Sequence, residues 1–201
     1  MRSGNGMKSN FANSNRCTHA YNWNYTEDGT SGMWSTAYVT IAMANNVIDN
    51  LEGKAVGDIT EQDLNNLKAE CLFIRAFAHF CNVLTYGQPY TYCVANDEKS
   101  LGVPYVYHTD PNGKPARETV ISNYENIVKD LLEAENIIDP DYVATSVRPS
   151  LVDANAAVNI STIQALLSRV YLYMGKWQEA ADYATKVIDS KKYQMWTADE
   201  Y

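Results

Sequence analysis

The sequence predicts an all-α protein, a helical-repeat scaffold interrupted by long irregular loops. Apolar residues recur at steps of three and four over several long stretches from Trp34 onward. Clusters of Gly, Pro and short polar residues separate those stretches, and near the C-terminus two of the patterns meet at a single glycine, Gly175. The 201 residues, 46% hydrophobic and 20% charged, are enough for one domain with a real core.

Residues 1–33 are rich in Asn, Ser and Gly, with Phe11, Tyr21, Trp23 and Tyr25 interspersed and no helical period. They are expected to form an irregular segment, separate from a helical domain over residues 34–201. Trp34, Tyr38, Ile41, Asn45 and Ile48 mark a first helix that ends near Gly53. Thr60 starts a second as N-cap, with Asp63 at the capping-box position. Its stripe runs through Leu64, Leu67, Cys71, Ile74, Ala78 and Cys81, broadened by Phe73, Phe77, Phe80 and Leu84, until Gly87 and Pro89 stop it.

Arg75, His79, Asn82 and Tyr86 interrupt this helix at i, i+4, i+7 and i+11, hence on one face. Such a face is a catalytic ridge or the less buried side of a core helix with Arg75 paired to a neighbouring carboxylate. The second is expected, because no nucleophile or further histidine joins the stripe. Residues 87–117 are expected to be loop or short extended pieces, with "YTYC" after Pro89 packing as a strand and Pro-Asn-Gly making a plain turn rather than a calcium loop. A third helix spans Glu118 to Ile138, stopped by Pro140. A polar connection over 139–155 leads to a fourth.

In "LLSRVYLYMGKWQEAADYATKVIDS" the stripe Ile160, Ile163, Leu167, Val170, Met174 is followed, past Gly175, by Ala180, Ala184, Val187 and Ile188. A helix ending in Leu-Tyr-x-x-Gly, an aromatic two residues on and Ala three after that is the tetratricopeptide pattern. Gly175 suits the helix end, the small alanines allow close approach, and Trp177 is expected to wedge into the pair. One unit matches cleanly, so the other helices are read as degenerate repeats. A repeat cannot bury its face alone, and self-association through an exposed apolar face is expected.

Five ordered blocks resemble SusD/RagB-type nutrient-binding lipoproteins. They are Trp34, Tyr38, Ile41 and Asn45 in the first helix; Glu70, Arg75, Ala76, Phe80, Tyr86, Gly87 and Pro89 in the second; "GVPYV"; "RETVISNYENIVKDLLEAENII"; and the tetratricopeptide unit. The resemblance implies a surface-exposed outer-membrane protein that captures oligosaccharide or polysaccharide without catalysis and docks on a SusC-type TonB-dependent transporter. Members of that family start with a lipoprotein signal and run longer. "MRSGNGMKSNFANSN" has no signal-like apolar region, so this chain is expected to be an internal fragment whose lipid anchor lies upstream.

The residues themselves agree about catalysis. No GxSxG, HExxH or phosphate-binding loop is present, and no cofactor is implied. Cys17, Cys71, Cys81 and Cys93 have no CxxC pair and no metal-like spacing with the histidines, so no metal site is expected and Cys71 and Cys81 are expected as buried thiols. A formal charge of −8 argues against nucleic acid, and Arg75, His79 and Asn82 break the best candidate for a membrane span.

Sugar capture needs flat rings against the C–H face of a pyranose and amides for its hydroxyls. Tyr21, Asn22, Trp23, Asn24 and Tyr25 supply that mixture, and in an extended segment rings and amides would project to opposite sides. The rings equally suit clamping the segment onto the helices, and the residues alone do not choose. Two rivals from other classes are a tetratricopeptide adaptor that binds a peptide and, more remotely, a glycan-processing enzyme.

Overall fold

A computed structural model describes residues 28–144 and 157–193 of the chain. Among these the fold is all-α, with helices α1 (Asp28–Asp49), α2 (Glu61–Tyr86), α3 (Tyr90–Asn96), α4 (Val120–Ile137), α5 (Ile160–Tyr173) and α6 (Trp177–Asp189). The pairing between Leu101 and Thr119 is a lone bridge. The long α2 packs between α1 and α4, and α4 carries the α5–α6 pair.

Local chemistry sets the helix ends. Thr60 Oγ1 accepts from Asp63 N at 3.1 Å while Thr60 N donates to Asp63 Oδ2 at 2.9 Å, the reciprocal box expected at the start of α2. Gly87 closes α2 by donating to Val83 O. Thr119 and Asn159 cap α4 and α5 in the same way as Thr60, through side chains that accept from Ser122 N and Thr162 N. Helix α1 begins at Asp28, ahead of the expected start at Trp34, because Gly29 to Gly32 carry no apolar period to reveal its first turns. Residues 90–96, expected as loop or strand, form the short α3 behind Pro89, whose fixed φ suits a helix start.

The core lies between α2, α4 and α5: Phe80, Leu72, Tyr124, Ile127, Leu131, Ile163 and Leu167 are all fully buried. Each such side chain contributes about 1.5–3 kcal/mol of transfer free energy. Cys71 and Cys93 are buried and Cys81 is half-buried.

The α5–α6 pair has the tetratricopeptide form. Gly175 turns the chain at φ +73°, a region L side chains resist, and a Cβ there would meet Thr91 Cγ2 at 3.1 Å. Ala180 is buried at the crossing, where Ser168 Oγ donates to its carbonyl at 2.7 Å. Trp177 does not wedge between the helices and is 68% exposed. The stacked rings of Tyr171 and Tyr183, 5.6 Å apart, occupy the interface in its place. Glu135 of α4 fastens the pair to the core by accepting from Gln164 and from the Tyr183 hydroxyl, each at 2.9 Å.

Candidate functional site

The polar stripe of α2 is where sequence and structure differ most. Arg75 is 6% exposed, His79 0% and Asn82 2%, so the face expected to be the less buried one is interior. The expected ion pair is present. Arg75 Nε and Nη2 donate to Asp130 Oδ2 and Oδ1, both at 2.7 Å, in the bidentate geometry that suits a guanidinium. Nη1 donates to Asn45 Oδ1 and to the Tyr107 carbonyl, each at 3.1 Å. The Tyr105 hydroxyl donates to Asp130 Oδ2 at 2.6 Å. A buried charge is tolerable when it is paired and its remaining valences are filled, as here.

What covers the stripe is the extended segment 101–109, whose backbone is held almost residue by residue. Arg117 donates to the carbonyls of Leu101 and Gly102. Asn123 accepts from Val103 N at 2.7 Å and donates to Val103 O at 2.9 Å, as a neighbouring strand would. Tyr38 donates to Pro104 O, Asn45 to Val106 O, and Asp49 accepts from Thr109 N. Gly102 is required by contact: a Cβ there would lie 2.1 Å from Asn123 Oδ1.

His79 completes the set. Its Nδ1 donates to the Arg75 carbonyl at 2.8 Å, and its Nε2 accepts from Val106 N at 3.1 Å. Both bonds hold together only in the neutral Nδ1–H tautomer. Burial, then the neighbouring Arg75 cation, pushes its pKa down to about 4. The ring stacks on Tyr105 at 3.8 Å and meets Tyr38 edge-on. With both nitrogens engaged and no nucleophile beside it, the stripe is a structural clamp and not an acid–base centre. Asn82 Nδ2 is the exception, buried without a hydrogen-bond partner among the described residues.

The residues expected to bind ligand, Tyr21, Asn22, Trp23, Asn24 and Tyr25, lie outside the described residues. They immediately precede α1, whose first turns wall a shallow apolar groove of about 440 Å³ against α2. Met33, Ala37, Phe77, Ala78 and Cys81 line it, and Met33 (54%) and Phe77 (42%) are exposed. The sequence reading missed this groove because Phe77 was assigned to the broadened core stripe; its place opposite Arg75 on the helical wheel was the available signal. Among the described residues no three His, Cys, Asp or Glu come together as a metal site, and no helix is long and apolar enough to cross a membrane.

Comparison with known proteins places these features in context. The model of a family described as starch-binding and associating with the outer membrane, SusD-like, matches residues 1–172. SusD-like protein P2 of Formosa agariphila is 30% identical over 173 residues, spanning 84% of this chain and 30% of that protein. The crystal structure of a SusD superfamily protein from Bacteroides thetaiotaomicron superposes with a TM-score of 0.77 at 33% identity, over 92% of this chain and 39% of the other. That of a SusD-like carbohydrate-binding protein from Bacteroides vulgatus gives 0.68 at 26% identity, over 84% and 33%. The chain thus spans 30% to 39% of these relatives' length.

Proposed function

The chain belongs to the SusD-like family, and from that premise we propose that it is the helical scaffold of a non-catalytic glycan-binding protein at the outer-membrane surface, delivering oligosaccharide to a SusC-type TonB-dependent transporter. The family match over residues 1–172 carries this reading. The interior of α2 supports the absence of catalysis, since its one buried histidine has both ring nitrogens committed to backbone groups. Ligand contact is assigned to the segment ahead of α1. There Tyr21, Trp23 and Tyr25 would stack on pyranose faces while Asn22 and Asn24 bond hydroxyls. Membrane attachment is assigned to a lipid anchor upstream, and neither nucleic acid nor a cofactor takes part.

Calorimetric titration of the folded chain against soluble oligosaccharides, with chromatography of the sugars afterwards, tests this. Saturable binding with the sugars intact is expected. Silence across the panel would overturn the assignment of the site to this chain and favour a peptide-binding adaptor, and hydrolysis would overturn the non-catalytic reading.

A further inference from the structure

We propose that the extended segment 101–109 is a two-part strap whose C-terminal half, residues 106–109, lets go of the helices in mild acid while its N-terminal half stays bound. Amides and guanidiniums hold backbone carbonyls in both halves; the halves differ in the acceptors of their backbone N–H groups. Gly102 and Val103 are buried, and their partners are the Asn123 amide, the Arg117 guanidinium and the Glu118 backbone, none of which changes charge in mild acid. Beyond Tyr105 the Asn45 amide still holds Val106 O and the Arg75 guanidinium holds Tyr107 O, but the backbone N–H groups pass to titratable acceptors, His79 at Val106 N and Asp49 at Thr109 N. Exposure rises along the same direction, and His108 and Thr109 are exposed.

Protonating His79 places a hydrogen on Nε2 facing the Val106 N–H, so an acceptor becomes a donor aimed at a donor. The groups around the ring offer the new charge nothing. Arg75 on its own helix is a cation, α1 presents the edge of Tyr38, and the strap presents the Tyr105 face with Tyr107 beyond it. Asp130 of α4 is occupied by Arg75 through both oxygens and by Tyr105. Lifting residues 106–109 removes the opposed Val106 N–H and opens Nε2 to water, while Tyr105 stays on the ring face.

The sign follows from linkage. In the closed form His79 titrates near 4, against 6.5 when free, so the open form takes up the proton first. The closed form is fully favoured above 6.5 and loses ground as pH falls through that window, and the full span from 6.5 to 4 sets a ceiling of about a hundredfold on the rise of the opening constant between pH 7 and pH 4. Asp49 faces His108 and Thr109, and its hydrogen bonds to them hold its carboxyl below the usual range, against a partial desolvation that would raise it. Its contribution is therefore lost at lower pH still, after that of His79.

Amide exchange followed by NMR on the full chain tests this, with rates expressed as protection factors to remove the intrinsic pH dependence. Between pH 7 and pH 4 the protection of Val106 N is expected to fall by between about tenfold and about a hundredfold while that of Val103 N stays constant. In His79→Gln the Val106 fall should flatten. Should that variant not fold, the wild-type profiles decide alone: equal losses at Val103 and Val106, or no loss at Val106, would overturn the proposal.

Discussion

Helix α2 has two faces that reverse the usual rule. The Arg75–His79 face is polar and interior, whereas the Phe77 face is apolar and lies in the groove beside α1. Polarity alone does not decide burial; the partners available do. Arg75 is inside because Asp130, Asn45 and the Tyr107 carbonyl fill its donors. Phe77 has Phe73 stacked beside it at 6.1 Å and stays 42% exposed. The interior face fixes the shape of the domain, and the outer face presents Phe77 to the apolar groove against α1.

Substitutions should separate the faces. Asp130→Ala strands the Arg75 charge inside the protein and is expected to cost about 3–5 kcal/mol in urea unfolding, enough to threaten folding. Gly102→Ala drives a methyl into Asn123 and toward the Val120 backbone, for about 1–3 kcal/mol and an earlier thermal transition. Thr60→Ala removes the side-chain half of the capping box, the Oγ1 that accepts from Asp63 N and donates to Asp63 Oδ2, and leaves the Thr60 N bond to Asp63 in place, with an expected loss of about 1 kcal/mol. Phe77→Ser, on the outer face, should change stability by no more than about 0.5 kcal/mol. If the groove drives self-association, the same variant should reduce it in light scattering. A Phe77→Ser loss as large as that of Asp130→Ala would erase the distinction between the faces.

The sequence made the punctuation of the fold legible. Thr60, Gly87 with Pro89, and Gly175 end or begin helices through chemistry that needs no distant partner. The carboxylate partner of Arg75 was also foreseeable, because a charged residue inside an apolar helix must find one. The burial of Arg75, His79 and Asn82 was not. Their cover, segment 101–109, lies dozens of residues away, and a helical period cannot show which face another segment will lie upon. The same limit explains "GVPYV": it is extended as expected, but beyond a short pairing with the Glu118 backbone its partners are side chains such as Asn123 rather than a sheet. Helix α3 is too short for a period to emerge. Trp177 was misplaced because a motif gives residue types and not which ring fills the interface. Of the candidate site, the residue chemistry of Tyr21 to Tyr25 was legible, and the neighbouring groove was not.

The most direct test is titration of the wild-type chain and Trp23→Ala with the same soluble oligosaccharide, with melting curves recorded on both. The account predicts saturable binding by the wild type that disappears in Trp23→Ala at an unchanged melting temperature. Binding that survives in a folded Trp23→Ala variant would contradict it and move ligand capture away from the segment ahead of α1.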